Sequence, residues 1–149
     1  MILQIPTLKC RNKFRLTFYD LVGSTADDLA ILSASVLSTT RPTWKRDSFL
    51  VAGRWLPLSI VFADDADDVV RQTIFRHLRF QTNAALPNVF FKIMLEMLNA
   101  HGGLVQETWW IDKACIAECV PSSLSVVGVE IESNLTIQLM VEYDQARFE

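Results

Sequence analysis

At 149 residues, half of them apolar, the sequence has the size of a single domain with a substantial core. Its formal net charge is −3 and it has no long basic run, which argues against a nucleic-acid-binding surface. No apolar run approaches the roughly 20 residues of a membrane-spanning helix, and the N-terminus places apolar residues before basic ones, the reverse of a signal peptide. The high apolar content therefore indicates surface that is buried in an oligomer.

The whole chain, residues 1–149, is predicted to be one domain, since no repeat or low-complexity linker divides it. Its first part is predicted to consist of strands and loops. Residues 1–12, apolar and then basic, are a candidate arm that docks on a neighbour. Phe14, Leu16 and Phe18 then alternate with polar residues, as in a half-buried strand. Five elements are predicted next: an acidic loop (Asp20–Asp28), a serine-rich strand (Leu32–Thr39), a basic turn (Arg41–Arg46) and the two strands of a hairpin (Ser48–Val51 and Leu56–Phe62).

The segment Asp64–Gln81 is the one helix that the sequence predicts. Asp65 is its expected N-cap, and four acids in the first turn suit the positive end of the helix dipole. Apolar residues recur at helical spacing and form one face, made of Ala66, Val69, Val70, Ile74, Phe75 and Leu78. Three basic residues lie off that face and are available to solvent or to a neighbouring chain: Arg71, Arg76 and Arg79.

The second half is predicted to be antiparallel strands. Residues 89–97 alternate as a strand, although Lys92–Gly103 could also form a short helix that ends at glycine. Strands at Val105–Ile111 and Ala114–Val120 follow. The last strand alternates most regularly, so one face is predicted to lie in the core and the other in water. The predicted core residues of that strand are Leu135, Ile137, Leu139 and Val141, and the polar tail Asp144–Glu149 is expected to meet solvent or another subunit.

Residues with catalytic or metal-binding chemistry are few. The sequence has two histidines, His77 and His101, and no Cys/His spacing that fits zinc, no nucleophile motif and no phosphate-binding loop. The acids of residues 64–68 lack the ligand spacing and glycine of a calcium loop, so we interpret them as helix caps, with cation binding as the open alternative. His77 is interpreted as a surface or interface residue. We therefore predict no enzyme activity, cofactor or metal ion.

The three cysteines, Cys10, Cys115 and Cys119, make no disulfide framework by themselves. Cys115 and Cys119 are four apart in a predicted strand, so both are expected on one side of it, about 13 Å apart. They cannot bridge each other there. Reduced thiols are the prediction, and a disulfide between subunits remains the open alternative.

The order of these elements resembles that of the tail tube proteins of contractile-tailed bacteriophages. The segments that carry the resemblance are NKFRLTFYD (Asn12–Asp20), FLVAGRWLPLSIVFADDADDVVRQTI (Phe49–Ile74), FKIMLEMLNAHGGLVQETWWIDKACI (Phe91–Ile116) and NLTIQLMVEYDQA (Asn134–Ala146). The family's usual proline-led strand is short in Asp20–Thr43, and Trp44–Arg46 has no counterpart. The baseplate tube initiator shares the pattern, and the tube proteins of type VI secretion and contractile bacteriocins are more distantly similar.

The resemblance implies a mainly β protein, an antiparallel β-sandwich or barrel with one flanking α-helix. It further implies hexameric rings that stack into a hollow tube, the conduit for DNA ejection. The implied partners are further copies of the chain, the tail sheath protein, and the baseplate and tail terminator proteins. Phage DNA would pass through the lumen without specific binding. The implied location is the virion tail, assembled in the host cytoplasm, with no membrane contact.

The resemblance also suggests roles for three groups of residues. The candidates for lining the lumen are Thr136, Gln138 and Glu142. The candidates for stacking rings lie in a hairpin over residues 40–55 and are Arg41, Trp44, Lys45, Arg46, Arg54 and Trp55, with the acidic loop Asp20–Asp28 as their partner of opposite sign. The candidates for facing the sheath or a neighbour are Arg71, Arg76 and Arg79. The alternatives are a baseplate tube initiator and a small β-rich binding module.

Overall fold

A computed structural model describes residues 9–65, 67–83, 85, 89–99, 103–124 and 135–149, with side chains from residue 13 onward. Within these residues the chain forms nine strands and two helices. The strands are β1 (Lys9–Tyr19), β2 (Val36–Thr39), β3 (Trp44–Lys45), β4 (Arg54–Trp55), β5 (Leu58–Ala63), β6 (Phe91–Asn99), β7 (Val105–Pro121), β8 (Thr136–Glu142) and β9 (Gln145–Phe148). The helices are α1 (Ala26–Ala34) and α2 (Val69–Gln81). The predicted arm, residues 1–12, lies mostly outside this description.

Seven strands form one antiparallel sheet in the order β1-β6-β7-β8-β5-β2, with β9 added beside β7. Strand β7 is 17 residues long, and its two halves pair with different strands of the sheet. Its first half pairs with β6 and β9, and its second half pairs with β8. Between them Lys113 has a left-handed backbone (φ 51), and the register shifts between Ile116 and Glu118. The prediction of a mainly β, antiparallel fold is confirmed.

Alternating side chains of the strands enclose one core, as the sequence pattern predicts. In β5, Leu58, Ile60 and Phe62 are buried, and in β8 the buried residues are Ile137 and Leu139, with Val141 beside them. The residues of β6 that point inward are Phe91, Ile93, Leu95 and Met97. Residues 91–99 are thus a strand, and the helical alternative for that segment is wrong. Leu135, which was expected in the core, precedes β8 and is 43% exposed.

Helix α1 was not predicted, and it replaces the end of the acidic loop and the start of the serine-rich strand. Thr25 and Asp28 form a reciprocal capping box, in which each side chain accepts the other's backbone N–H at 3.1 Å. Leu32 is buried against the core, and the strand begins only at Val36. The spacing of Thr25 and Asp28 before an apolar run is the signal that identifies such a helix start. The prediction of a single flanking helix is therefore wrong in number.

Four predicted strands have other boundaries in the structure. Residues 48–51 are not a strand, and the hairpin consists instead of the short pair β3–β4, in which Trp44 lies opposite Trp55. The segment after it begins at Leu58 and joins the main sheet between β2 and β8. The strands expected at 105–111 and 114–120 are one continuous strand, β7. The polar tail, which was expected to meet solvent or another subunit, forms β9, and its Ala146 is buried.

Helix α2 ends where it was predicted to end but begins at Val69 instead of Asp64. Asp68 has a left-handed backbone (φ 61), which a helix cannot continue through, so the acids precede the first turn. The Asp65 carboxylate nevertheless accepts the backbone N–H groups of Val69 (3.1 Å) and Val70 (2.9 Å). It therefore satisfies donors that a helix start leaves unpaired. Ala66 lies outside the described residues.

The bend of β7 places its two cysteines on opposite faces. Cys115 lies opposite Glu142 on the outer face, whereas Cys119 lies opposite Leu139 and packs against the core. The prediction that both face one side is wrong, because the register shift between Ile116 and Glu118 reverses the alternation. Burial raises the pKa of both thiols, so both are held in the less reactive protonated form.

Gln81, the last residue of α2, connects the helix by hydrogen bonds to Ile116 in β7. Its side-chain nitrogen donates to the Ile116 carbonyl (2.7 Å), and its oxygen accepts the Ile116 N–H (2.8 Å). One amide side chain thus completes both hydrogen bonds of a backbone residue next to the register shift. Gln81 was not assigned a role from the sequence.

Replacing Gln81 with alanine should lower the free energy of unfolding by roughly 1–3 kcal/mol, since it leaves two partly buried backbone groups unpaired. Urea denaturation of the purified subunit measures the change. Gln72→Ala is the matched control, because Gln72 is an exposed glutamine on the same helix. Equal stability of the two variants would show that the Gln81 hydrogen bonds contribute nothing.

Candidate functional site: the β3–β4 hairpin and the outer face of β8

The β3–β4 hairpin carries an apolar tip that faces solvent. Phe49, Leu50 and Val51 are 81%, 82% and 54% exposed. The tip is held by hydrogen bonds within the hairpin, because the Arg46 guanidinium donates to the carbonyls of Ser48 (3.0 Å) and Phe49. Three adjacent apolar residues in an ordered, exposed turn are typical of an interaction surface. Ser48–Val51 was predicted to be a strand of the candidate stacking hairpin, residues 40–55, but none of the tip residues was named among the stacking candidates.

The flanks of the hairpin carry the charged and aromatic residues that were predicted to stack rings. Lys45 and Arg54 both approach Asp47, at 3.6 Å and 4.0 Å, and all three side chains are exposed. Trp44 is also exposed, and its indole lies over Gly53, so closely that a Cβ at that position would overlap the ring. The hairpin therefore presents a basic rim with a fixed tryptophan around its apolar tip.

The base of the hairpin is fixed to the main sheet by a buried carboxylate. Glu107 on β7 is almost fully buried, and both of its oxygens accept from one nitrogen of Arg41 (2.8 and 2.9 Å). The indole N–H of Trp109 also donates to Glu107. Trp55 packs against Trp109 and Tyr143, with ring centroids 6.1 and 6.2 Å apart. Of the predicted stacking residues, Arg41 and Trp55 thus anchor the hairpin, and the others lie on its exposed flanks.

The acidic segment predicted to be the partner of the hairpin lies toward the other end of β1. Glu107 is in register with Met97, and Met97 with Phe14, so the anchor lies across the sheet from Phe14. Asp20 follows the end of β1, roughly 20 Å further along the strand. Asp20 and Asp27 are exposed. The basic residues of the hairpin and Asp20 are therefore separated along the subunit, although Lys92 and Lys113 line a depression together with Asp20.

The outer face of β8 is open and lacks basic residues. Gln138 and Glu142 are exposed and Thr136 is half-buried, so none of the three predicted lumen residues lies in the core. Gln138 donates to the hydroxyl of Ser59 on β5 (3.0 Å), and Glu118 on β7 lies opposite Met140 on the same face. Strands β2, β5 and β8 and residues 114–121 of β7 contain no lysine or arginine. The face therefore offers a polyanion no attractive charge.

The three arginines of α2 differ in their surroundings. Arg71 pairs with Asp68 at 2.9 Å, and this hydrogen bond lowers the pKa of the Asp68 carboxyl. Arg76 donates to the carbonyl of Gly23 (2.9 Å) and lies 3.3 Å from Asp28, so it connects α2 to the start of α1. Arg79 is exposed. Arg71 and Arg79 thus remain accessible to a partner, whereas Arg76 has a role within the subunit.

His77, interpreted from the sequence as a surface or interface residue, is fully buried on α2. Its Nδ1 accepts the backbone N–H of Val22 (3.1 Å), and its ring packs edge-on against Phe91 at 5.1 Å. Within the described residues its Nε2 has no hydrogen-bond partner. Burial lowers the pKa of His77, because a charged imidazolium would lack solvation there.

The stability of the subunit should therefore fall on acidification through His77. The unfolded chain binds a proton at a pKa near 6.5 and the folded chain only at a lower pH, so folding is favoured fully above 6.5 and less as the pH drops below it. The loss is up to about 1.4 kcal/mol for each pH unit between the two pKa values. Thermal unfolding between pH 7.5 and 5 measures it. His77→Gln keeps an acceptor for Val22 and should flatten this dependence; an unchanged slope would contradict the assignment.

Among the described residues, no group of three or more His, Cys, Asp or Glu side chains is arranged to hold a metal ion. In the same part of the chain, neither helix has the length and hydropathy to cross a bilayer.

The fold is similar to that of chains in solved contractile assemblies. A chain in the six-fold symmetrised structure of the anti-feeding prophage baseplate aligns with a TM-score of 0.58 and 14% identity, over 99% of this chain and 97% of that chain. A chain in the extended sheath–tube complex of the extracellular contractile injection system PVC aligns with a TM-score of 0.58 and 10% identity, over 95% and 91% of the two chains.

Hcp1 from Flavobacterium johnsoniae aligns with a TM-score of 0.54 and 11% identity, over 91% of this chain and 93% of that chain. No protein-family model and no curated protein matches the sequence. At such low identities the alignments establish a shared fold. The resemblance to contractile tail tube proteins is thus confirmed at the level of the fold.

Proposed function

We propose that the chain is a structural subunit that forms hexameric rings, which stack into the hollow tube of a contractile tail. The observation that carries this proposal is the apolar tip Phe49–Val51, held in an ordered, protruding hairpin on a fold shared with chains of sheath–tube and baseplate assemblies. A solvent-exposed tip of this kind gains its stabilisation when another subunit covers it. Burying each of its side chains is worth roughly 1.5–3 kcal/mol.

Stacking by the hairpin is supported by the distribution of charge. The basic rim of Lys45, Arg46 and Arg54 belongs to the hairpin that Arg41 anchors on Glu107, and the exposed Asp20 follows the far end of β1, so a head-to-tail arrangement brings these unlike charges together. A head-to-tail interface is heterologous, and repetition of such an interface produces a filament.

The outer face of β8 is the proposed wall of the lumen, with Thr136, Gln138 and Glu142 lining it. Its acidic and neutral side chains suit a conduit through which phage DNA passes without binding. The exposed arginines Arg71 and Arg79 are the proposed contacts to a sheath protein, since weak surface charge pairs break readily when a sheath contracts. Baseplate and tail terminator proteins are the proposed partners at the two ends of the tube.

A baseplate tube initiator is the second candidate, and the similarity to a chain in the anti-feeding prophage baseplate favours it. A small β-rich binding module is the third, and it would act as a monomer. Size-exclusion chromatography with negative-stain microscopy distinguishes the three. Long tubes of uniform diameter support the tube subunit, isolated rings support the initiator, and single subunits at all concentrations contradict both.

Replacing Gln138 and Glu142 with lysine should slow genome passage several-fold without preventing tube assembly. The added cations attract the DNA backbone, so the effect should shrink as salt screens the charges. The kinetics of DNA ejection from particles that carry the variant measure it. Gln72→Lys with Asp67→Lys makes the same change in charge at exposed positions outside this face. Equal slowing by both pairs would remove Gln138 and Glu142 from the lumen.

A further inference from the structure

Two consecutive residues of α2 hold the segment between β1 and α1, residues 20–25, against the helix. The Nδ1 atom of His77 accepts the backbone N–H of Val22 (3.1 Å). The guanidinium of Arg76 donates to the carbonyl of Gly23 (2.9 Å). Neighbouring side chains of the helix thus bind neighbouring backbone groups of the segment, one by accepting a hydrogen bond and the other by donating one.

The segment has few contacts besides these. It pairs with no strand of the described sheet, and Leu21 is the only one of its six residues that is buried. Its other hydrogen bonds are local, such as that from the Ser24 N–H to the Leu21 carbonyl (3.3 Å) and those that Thr25 exchanges with Asp28. Weakly bonded segments open at a lower free energy than the core of the same protein. Residues 20–25 can therefore open while the sheet stays folded.

The hydrogen bond between His77 and Val22 requires a neutral imidazole. The Nδ1 atom accepts the Val22 N–H only while it carries no proton, and in an imidazolium both ring nitrogens are donors. His77 is fully buried, and within the described residues its Nε2 atom has no hydrogen-bond partner. A second proton on the ring would therefore remove the bond to Val22 and leave a buried cation without solvation.

The surrounding charges do not compensate for an imidazolium at His77. Arg76 pairs with Asp28 at 3.3 Å, and the backbone hydrogen bond from Thr25 lowers the pKa of the Asp28 carboxyl, so this pair persists in mild acid. The other charged side chains of residues 20–25, α1, α2 and β6 are exposed or form pairs on the outer face of the sheet: Asp20, Asp27, Arg71, Arg79, Lys92 and Glu96. Burial lowers the pKa of His77, and none of these charges raises it.

We propose that His77 and Val22 form a pH-sensitive latch, in which a neutral His77 holds residues 20–25 closed on α2 and a protonated His77 releases them while the sheet stays folded. Opening the segment gives the charged ring access to water, so the closed segment and the imidazolium exclude each other. This local opening is distinct from unfolding of the whole subunit, because it breaks the contacts of six residues only.

The latch also has a consequence for assembly, which rests on the proposed function. Asp20 is the first residue of the segment and the proposed acidic contact of the stacking hairpin. Opening the segment displaces Asp20, so mild acid should weaken the stacking of subunits. The opening itself requires no assembly and is tested separately.

Hydrogen exchange of the wild-type chain between pH 7.5 and 4.5, resolved to single amides by mass spectrometry, tests the latch. Each exchange rate is divided into the intrinsic rate at the same pH to give a protection factor. That of the Val22 N–H should be constant above pH 6.5 and fall up to about tenfold for each pH unit below it, because opening binds one proton. It should also lie at least about tenfold below that of the Ile93 N–H in β6, which opens with the sheet. Equal protection of Val22 and Ile93 at every pH would overturn the latch.

His77→Gln keeps an acceptor for Val22 that binds no proton in this range, and it should make the protection of Val22 independent of pH. His77→Asn, whose side-chain oxygen branches where Nδ1 does, replaces it if His77→Gln does not fold. The matched control is His101→Gln, which removes the other histidine of the sequence and should leave the wild-type pH dependence. A pH dependence that persists in the folded His77 variants would contradict the role of His77.

Sedimentation of polymer at pH 7.5 and 5.5 tests the consequence for assembly. The critical concentration of the wild-type chain should rise several-fold at pH 5.5, and that of His77→Gln should rise less. An equal rise in both would show that the latch does not act on stacking. If the wild-type chain forms no polymer at any pH, the proposed function fails, whereas the exchange of the Val22 N–H still decides whether the latch exists.

Discussion

Replacing Phe49 and Leu50 with aspartate should abolish polymerisation and leave the subunit folded. Both side chains are more than 80% exposed, so the folded monomer loses little when they change. In a polymer their burial is worth roughly 3–6 kcal/mol together, and two desolvated carboxylates would oppose contact further. Because 1.4 kcal/mol corresponds to a factor of ten, the critical concentration should rise about 100-fold or more. Sedimentation of polymer from a concentration series measures it.

The control for this experiment is Leu124→Asp, which makes the same change at an equally exposed leucine outside the hairpin. It should polymerise at the wild-type concentration. Thermal unfolding of the monomeric Phe49→Asp, Leu50→Asp subunit should give the wild-type midpoint, which separates lost assembly from lost folding. Tubes of normal length from the double variant would show that the apolar tip has no part in stacking.

The second large effect is expected at the anchor of the hairpin. Arg41→Ala removes the guanidinium from which both oxygens of the Glu107 carboxylate accept, and only 2% of the Glu107 side chain is exposed. Removing one member of a buried pair typically costs 3–5 kcal/mol. Arg41 is itself half exposed and the Trp109 indole still donates to Glu107, so we expect a loss of about 2–3 kcal/mol. Urea denaturation measures it.

Arg54→Ala is the matched control for Arg41, because Arg54 lies on the same hairpin and approaches Asp47 only at the surface, at 4.0 Å. It should change the free energy of unfolding by less than about 1 kcal/mol. Arg41→Ala should also weaken polymerisation more than its stability loss explains, since the hairpin then loses its fixed direction. Equal stability of the two variants would show that the buried pair does not anchor the hairpin.

The anchor residues and the tip residues of the hairpin have different roles, although they lie in one segment of the sequence. Arg41 and Trp55 face the subunit, where Glu107, Trp109 and Tyr143 receive them. Most of the residues between them are exposed. A rigid base reduces the conformational entropy that a docking hairpin would lose, which strengthens the contact without adding to its area.

Periodicity was sufficient to predict the parts of the fold that depend on local pattern. Alternation in β5, β6 and β8 identified which side chains face the core, because each strand presents successive residues to opposite sides. The helical spacing of Val70, Ile74 and Leu78 likewise identified part of the inner face of α2 and its end near Gln81, whereas Phe75, which was expected on that face, is 36% exposed. Composition also singled out residues 40–55 as an unusual basic and aromatic segment. Helix α1 was within reach, since its capping box is visible at Thr25 and Asp28.

Other features depended on contacts between distant parts of the chain, and only the tertiary structure decided them. The bend of β7, with the Gln81 side chain completing its hydrogen bonds, sends Cys115 and Cys119 to opposite faces, against simple alternation. The burial of His77 follows from packing against Phe91 and the backbone of Val22. The sequence by itself thus determined which residues are apolar and which of them alternate toward a core. The tertiary structure decided which apolar residues remain exposed in one subunit, because the exposure of a side chain depends on which surfaces the rest of the chain covers.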